Sequence, residues 1–219
     1  MRVAVVSSGN ELIKSGKKIK DHQVYDSNKY QIIHFLKKFN ISVHDLGILK
    51  DDEIKVDKFY KKNQNKFDII ISSGGSSFSS KDYISSFLSQ NTELLFKYVR
   101  IQPGRPVIFS KLKFNYYFSL PGNPLAVFTN LFFLVSLFID PSRKDNSSIT
   151  KFYQSGFSEN KKSNLTKFYR VKLSKNILYT HNSKGSAKLI SLSEADGLAL
   201  VPEGNDKIKK GEKISFIEF

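Results

Sequence analysis

The order of apolar segments in the first third of this chain constrains its fold more than any other feature. Short runs that are apolar throughout alternate with stretches that are apolar only at helical spacing. The segments, in order, are residues 3–7, 30–39, 41–46, 52–65 and 67–72. Strand, helix, strand, helix, strand at this rhythm predicts βαβ units and a mainly parallel sheet.

Local signals set the expected helix boundaries. Ser27 or Asn28 is a candidate cap for the first helix, and Asn40 is a candidate stop signal after it. In the second helix we expect Ile54, Phe59 and Tyr60 to lie on one face.

Three loops follow the predicted strands and are expected to meet at one edge of the sheet. They comprise residues 7–11, 47–52 and 72–82. In open parallel sheets, ligands bind beyond the carboxyl ends of the strands. This edge is therefore the predicted binding site.

The third loop has paired glycines and several hydroxyl groups directly after a buried strand. Glycines allow backbone N–H groups to approach a ligand closely, and serines add donors suited to phosphate or pterin oxygens. The loop is neither a P-loop nor a GxGxxG fingerprint, because no GKS/T follows and the glycine spacing differs. The candidate binding residues are Ser73, Gly74, Gly75, Ser76 and Ser77.

Each loop also carries a carboxylate, and we select Glu11, Asp51 and Asp82 as candidate metal-binding and catalytic residues. Mg²⁺ prefers one or two carboxylates together with substrate phosphate and water. Taken singly, each acid also fits a simpler interpretation, as a turn residue or an acid that complements a helix dipole.

The stretch "SLPGNPLAVF" predicts a strand end, a tight turn and a helix start. Pro121 ends the strand, Gly122 and Asn123 form the turn, and Pro124 occupies the first helical position, which tolerates a missing N–H. The backbone N–H groups of the turn are then expected to face a ligand. "PGRP" offers a second rigid turn that carries a cation, Arg105.

The remaining chain predicts three further strands and an apolar helix over 124–139, after which the sequence pattern changes. The strands are expected at 98–102, 107–111 and 116–120. After a polar linker, short alternating segments predict a small all-β domain. We therefore place an α/β domain at residues 1–146 and an all-β domain at 147–219.

Composition excludes several classes of site. The chain has no cysteine, which rules out disulfide frameworks, thiolate metal sites and cysteine nucleophiles. Its four histidines lack the spacing of a zinc site. The N-terminal apolar run is too short for a signal-peptide core, and the 124–139 helix is too short to span a bilayer. These features predict a cytoplasmic protein without a membrane span.

The formal net charge of +15 is spread along the chain. Residues 1–146 carry 22 Lys and Arg against 13 Asp and Glu, and residues 147–219 carry 13 against 7. Only five of these cations are arginines, the residues that read phosphate and guanine best. A solvated lysine surface is favoured over specific nucleic-acid binding.

Together, these stretches resemble the molybdopterin molybdenumtransferase family, which includes bacterial MoeA and the gephyrin E domain. The matching motifs, in order, are "RVAVVSSGNEL", "DHQVYDSNKYQI", "DLGILKDD", "DIIISSGGSS" with "KDY", "IQPGRPVIF" and "SLPGNPLAVF". The resemblance implies a three-layer α/β/α molybdopterin-binding domain followed by a small β-barrel-like domain. It also implies Mg²⁺-dependent insertion of molybdate into adenylylated molybdopterin with release of AMP, and a homodimer.

The resemblance also implies residue roles. Glu11, Asp51 and Asp82 match family acids that would hold Mg²⁺ or orient the adenylyl phosphate and molybdate, and Pro121 and Pro124 match prolines that shape the pocket. In the second domain, "FYR" places Arg170 at a family arginine, and "KGSAKL" places Ser186 at a family serine.

The chain departs from the family pattern at several positions. Asn10 replaces the Asp of "GDE", the "GGVSVG" texture is changed after Gly75, and Gln102 stands where the family has the first Lys of "KPGKP". Relatives carry further domains before the "RVAV" strand, whereas Met1 stands next to it here. We expect either a fragment or split product that needs a partner chain, or a reduced version of the enzyme.

Four functions follow as alternatives. The first is the transferase itself, and the second is a non-catalytic molybdopterin-binding module or half-enzyme. A molybdopterin adenylyltransferase shares the α/β fold and is also a possible partner, but residues 150–219 argue against it as the function. Nucleic-acid binding rests on net charge alone.

Overall fold

The computed structural model describes residues 1–76, 82–144, 150–161, 164–180 and 190–219. The chain forms two compact units. The first comprises residues 1–99 and 106–135, and the second comprises residues 100–105 and 136–219. The domain boundary after residue 146 stays a prediction.

The two units contain the following elements. The strands are β1 (Val3–Ser8), β2 (Leu12–Ile13), β3 (Val24–Tyr25), β4 (Val43–Leu49), β5 (Ile69–Ser73), β6 (Glu93–Tyr98), β7 (Ile101–Gln102), β8 (Pro106–Leu112), β9 (Asn115–Leu120), β10 (Thr150–Ser155), β11 (Glu159–Asn160), β12 (Thr166–Ser174), β13 (Ile177–Thr180), β14 (Gly197–Val201), β15 (Lys207–Ile208) and β16 (Lys213–Glu218). The helices are α1 (Asn28–Lys37), α2 (Glu53–Asn63), α3 (Tyr83–Asn91), α4 (Pro124–Asn130), a π-helical turn (Leu131–Val135), α5 (Ser136–Ile139), a 3₁₀ turn (Pro141–Lys144) and α6 (Ile190–Ser193).

The first unit is built on a six-stranded sheet in the order β4-β1-β5-β9-β8-β6. The first four strands are mutually parallel, while β8 and β6 are antiparallel additions at one side. The parallel strands end at the same edge, which brings their following loops together. The mainly parallel α/β prediction is confirmed.

Helices cover both faces of this sheet because its strands are apolar on both sides. Strand β1 is buried along its whole length. Ala4 and Val6 project to one face, where they share a core with Val56 of α2 and Leu88 of α3. Helices α1 and α4 contact each other and the parallel strands, α1 on β1 and α4 on β9. The result is the predicted three-layer arrangement.

The cap and stop predicted for the first helix agree with the structure. On the predicted inner face of the second helix, Phe59 and Tyr60 contact the core, but Ile54 does not. Helix α1 begins at Asn28, with Ser27 at the cap position, and Asn40 adopts a left-handed φ of 56° shortly after its end. In α2, however, Ile54 is 66% exposed, whereas Val56 and Tyr60 are buried. Val56 lies four residues before Tyr60, so these two side chains share the face that packs on the sheet.

Two strand boundaries also differ from prediction. Strand β4 runs through Gly47 to Leu49, because a shift in its register with β1 is accommodated at Gly47, where φ is 84°. The strand expected at 98–102 is two strands: β6 pairs with β8 in the first unit, and β7 pairs with β12 in the second.

The predicted 124–139 helix is interrupted by the π-helical turn. Just before it, the hydroxyl of Thr129 donates to the carbonyls of Leu125 and Ala126, and Asn130 Nδ2 donates to the Ala126 carbonyl at 2.8 Å. These side chains bond to carbonyl oxygens that also accept the backbone N–H groups of a regular α-helix. This competition favours a local change to the wider π-helical turn.

The second unit is a small, strand-rich barrel. Strands β13, β10, β16, β14 and β12 are neighbours in that order, and the additional pairing of β13 with β12 closes the sheet on itself. Val171, Leu178, Ala199 and Phe216 fill its core. The predicted β-barrel-like domain is confirmed, with the short helix α6 as its helical element in the described range 190–219.

Across the residues that the structure describes, every helix falls short of the length and hydrophobicity needed to cross a membrane.

Candidate active site at the carboxyl edge of the sheet

A cavity of about 540 Å³ lies in the first unit, where the parallel strands end. Residues from all three predicted loops and from the Pro121 turn line it. The lining residues are Ser8, Gly9, Glu11, Asp51, Val56, Gly74, Gly75, Ser76, Asp82, Tyr83, Ile84, Pro106, Pro121, Gly122 and Asn123.

Asp51 is oriented by the loop that follows β1. Ser8 Oγ donates to its Oδ1 at 2.9 Å, and the Asn10 backbone N–H donates to its Oδ2 at 3.1 Å. In return, the Asp51 backbone N–H donates to Asn10 Oδ1 at 3.3 Å. Both carboxylate oxygens therefore have a fixed direction, and the exposed Glu11 lies on the same cavity wall.

The Gly-Gly loop presents backbone to the cavity because side chains cannot occupy it. Gly74 has a φ of +82°, and a Cβ there would collide with the Ser8 carbonyl oxygen. Gly75 has a φ of +79°, and a Cβ there would lie 2.8 Å from Ile84 Cβ. Ser119 Oγ donates to the Gly75 carbonyl at 3.0 Å. The loop therefore exposes backbone at its two glycines, and this hydrogen bond holds it to β9.

Asp82 lies at the far side of this loop and caps α3. Its Oδ1 accepts the Ser85 backbone N–H at 2.9 Å, and the residue is only 9% exposed. Ser76 is also buried, and its hydroxyl donates to the Pro106 carbonyl at 3.5 Å. Both residues keep a place on the cavity wall.

The Pro121 turn has the predicted mechanical role. Asn123 caps α4, because its Oδ1 accepts the backbone N–H groups of Leu125 at 3.0 Å and Ala126 at 3.3 Å. Pro124 is the first residue of the helix. Asn28 Nδ2 donates to the Gly122 carbonyl at 2.7 Å, which ties the turn to the start of α1.

The structure brings most of the predicted first-domain residues to one cavity. Ser73 is buried at the end of β5, and Pro124 is the half-buried first residue of α4, directly after the lining residue Asn123. Arg105 is exposed and belongs to the second unit, as does Arg170 on β12, where burial lowers the pKa of its guanidinium. Ser77 and Ser186 lie outside the described residues.

The three acids share the cavity without forming a preformed metal cluster. Among the described residues, no group of three or more His, Cys, Asp or Glu side chains is placed to hold a metal ion.

Sequence reasoning missed three residues that shape this site: Ser8, Asn28 and Ser119. Each acts through a hydrogen bond to a residue of the cavity wall. Ser8 and Ser119 lie within the motifs "RVAVVSSGNEL" and "SLPGNPLAVF", and in the sequence Asn28 is a candidate helix cap. Polar residues at strand and helix ends beside the glycine loops were the available signal.

Two family models match the chain. The model described as probable molybdopterin binding domain matches residues 4–140, more than half of the chain. The model described as MoeA C-terminal region (domain IV) matches residues 154–219.

Individual relatives carry consistent names. A molybdopterin molybdenumtransferase from Haemophilus influenzae is 34% identical over 135 residues, which cover 62% of this chain and 33% of the relative. Another from Nostoc sp. is 26% identical over 233 aligned residues, covering 99% of this chain and 52% of the relative. A crystal structure of molybdopterin biosynthesis MoeA protein from Pyrococcus horikosii is similar with a TM-score of 0.84 and 27% identity, covering 99% of this chain and 54% of that one. The chain thus spans about half or less of these relatives' lengths.

Proposed function

The chain belongs to the family of probable molybdopterin-binding domains, and from this membership we propose that it acts as a molybdopterin molybdenumtransferase. It would bind adenylylated molybdopterin and molybdate, and insert the metal with release of AMP. The two pterin thiol groups would replace two oxygens of molybdate, which would leave as hydroxide or water, and a water molecule would cleave the phosphoanhydride bond to release AMP. No oxidation state changes, so the step needs no oxidant or reductant. The name of the relatives and the C-terminal match support this proposal.

The observation that carries the proposal is the convergence of acids and bare backbone on one cavity. Glu11, Asp51 and Asp82 come from three loops, and Gly74 and Gly75 lie between them in the wall. A volume of about 540 Å³ is within the range of small-molecule sites, roughly 300 to 1,000 Å³. The glycines would let backbone groups approach the phosphate or pterin closely.

Mg²⁺ is part of the proposal, and the donor set fits it. The ion takes one or two carboxylates and completes its shell with substrate phosphate oxygens and water. A preformed cluster of three acids is therefore not required. Asp51 already has both oxygens oriented by hydrogen bonds, as metal-binding carboxylates commonly do. One or two of Glu11, Asp51 and Asp82 would hold the ion, which would neutralise phosphate charge, and the remaining acid would orient the adenylyl phosphate and molybdate.

The remaining candidate ligands fall into two groups. Ser73, Ser76, Ser77 and the Pro121–Pro124 turn would shape the pterin pocket. Arg105, Arg170 and Ser186 would bind oxyanions of the substrate. Arg170 and Ser186 rest on family motifs alone, and Arg105 rests on the rigid turn that carries it. Placement in the cytoplasm and a homodimer belong to the same proposal.

The alternative is a molybdopterin-binding module or half-enzyme that needs a separate N-terminal chain or a molybdopterin adenylyltransferase as partner. The chain covers 33% and 52% of two relatives, which is compatible with either function. Release of AMP by the purified chain distinguishes the transferase from the half-enzyme.

The deciding experiment is titration calorimetry of adenylylated molybdopterin into the purified chain, with and without Mg²⁺, followed by an AMP assay with molybdate on the same sample. Binding with AMP release supports the transferase. Binding without release supports the half-enzyme, and adding candidate partner chains should then restore release. Absence of binding in both conditions contradicts both functions.

A further inference from the structure

Asn28 forms a long-range clamp on the wall of the cavity. It opens helix α1, is 9% exposed, and donates through Nδ2 to the Gly122 carbonyl at 2.7 Å, across 94 residues of sequence. Its Oδ1 is buried, and within the described part of the chain it has no hydrogen-bond partner. An amide flip would turn that oxygen toward the Gly122 carbonyl, so the donor direction is defined.

The clamp holds a peptide group of the cavity wall, because Gly122 and Asn123 both line the cavity. The Gly122 carbonyl and the Asn123 N–H belong to one planar trans peptide, so they point in opposite directions. Holding the carbonyl on Asn28 therefore directs the Asn123 N–H away from α1. Gly122 is exposed, and a Cβ there would meet nothing within 4 Å, so its own surroundings do little to restrict rotation of this peptide.

Asn28 lies between Asp26 and Lys29, two buried members of a charged cluster. Asp26 accepts a hydrogen bond from Ser7 Oγ at 2.8 Å and from the Lys29 backbone N–H at 3.3 Å. Lys29 is only 2% exposed, and its Nζ lies 3.7 Å from Asp26 Oδ2 and 3.1 Å from Asp45 Oδ2. Asp26 is thus tied to β1 and Lys29 to β4, which restrains the start of α1.

We propose that Asn28 is a positioning residue, which holds the Gly122–Asn123 peptide in the orientation that binds molybdopterin. This rests on the proposed function, since it assigns that peptide to the ligand. A buried amide oxygen without a partner is destabilising. The buried Oδ1 of Asn28 therefore lowers the stability of the fold, while its Nδ2 orients the turn.

The test compares Asn28→Ala and Asn28→Asp with Asn115→Ala. Asn115 is a matched control because its Nδ2 also donates to a distant carbonyl, that of Phe67 at 2.6 Å, but it lies at the start of β9, away from the cavity. Affinity for adenylylated molybdopterin is measured by calorimetry, and hydrogen exchange of the Asn123 amide is measured by NMR on the same proteins without ligand.

We expect both Asn28 variants to weaken affinity by about tenfold and to accelerate Asn123 exchange, with Asn115→Ala losing similar thermal stability but keeping its affinity. Equal affinity in all variants would overturn the proposal. If the wild type binds no ligand, the proposed function fails. Unchanged Asn123 exchange in the Asn28 variants would refute the clamp independently of ligand. Should Asn28→Ala not fold, Asn28→Asp, which keeps the side-chain volume, carries the test.

Discussion

The two edges of the first unit's sheet are built in opposite ways. At the amino edge, backbone and side chains bond to each other: the Arg2 backbone N–H donates to Asp68 Oδ2 at 2.5 Å, and Asn115 Nδ2 donates to the Phe67 carbonyl at 2.6 Å. The Tyr116 N–H donates to the Asp68 carbonyl at 2.9 Å. At the carboxyl edge, three loops and the Pro121 turn surround a cavity of about 540 Å³.

The difference teaches how one sheet separates stability from binding. Hydrogen bonds at the amino edge join the starts of neighbouring strands, where each bond adds a modest increment to stability. At the carboxyl edge, glycines remove side chains from part of the wall, and three carboxylate residues line the cavity. Changes to polar side chains at the two edges should therefore affect different measurements. A side chain added to the glycine loop should also lower stability, because the loop is closely packed.

The largest effect is expected from Gly74→Ala. Alanine at position 74 would have to adopt a left-handed φ of +82°. Its Cβ would also collide with the Ser8 carbonyl oxygen. We expect a loss of about 2–5 kcal/mol in the free energy of unfolding, from roughly 1–2 for the dihedral and roughly 1–3 for overpacking. Urea denaturation followed by circular dichroism measures it.

Gly16→Ala is the matched control for this change. Gly16 has a φ of +85°, but a Cβ there meets nothing within 4 Å. It should therefore cost only the dihedral part, about 1–2 kcal/mol. Equal losses at the two positions would show that the Gly74 contact with Ser8 does not constrain the loop.

Asp82→Asn should reduce ligand binding with little loss of stability. Asparagine caps helices as well as aspartate does, so the bond from the Ser85 N–H is retained while the charge is removed. Loss of one charged contact is worth about 1.5–3 kcal/mol, so we expect a roughly tenfold or greater fall in Mg²⁺-dependent affinity, measured by calorimetry.

Asp52→Asn controls for the cap. Asp52 caps α2 by accepting the Lys55 N–H at 2.9 Å, and it is absent from the residues that line the cavity. Its substitution should leave affinity close to that of the wild type. If both variants lost affinity to the same degree, the effect would come from net charge rather than from the cavity.

The smallest effect is expected at the amino edge, from Asp68→Asn. The hydrogen bond from the Arg2 backbone N–H holds the pKa of the Asp68 carboxyl below its usual value of 3.8. A carboxyl group whose pKa is lower in the folded than in the unfolded state stabilises the folded state when the pH is above the unfolded-state pKa. This contribution disappears as the pH falls through the folded-state pKa. The side chains of Arg2 and Asp68 are well exposed, so solvent screening keeps the effect small.

Thermal melts of wild type and Asp68→Asn across pH 2 to 7 test this, with AMP release or ligand affinity measured in parallel at neutral pH. The difference in melting temperature should be largest near neutrality and should shrink below about pH 4. A change in ligand affinity would break the separation between the two edges.

Local features of the fold were predictable because they depend on residues close in sequence. The helix stop at Asn40, the cap and proline at the start of α4, and the strand ending in Ser73 all follow from short-range preferences. The exposed position of Ile54 was not predictable in this way, because Ile54 and Val56 are both apolar and lie on different sides of α2. Packing against the sheet selected Val56 and Tyr60.

By itself, the sequence determined the order of strands and helices, the loops with glycines and acids, and the family. Only the tertiary structure decided which loops meet, that Ser8 and Asn10 orient Asp51, and that Asn28 holds Gly122 across 94 residues. The physical reason is that turn and helix preferences are properties of neighbouring residues. A hydrogen bond between distant segments exists only once the sheet has brought their ends to the same edge.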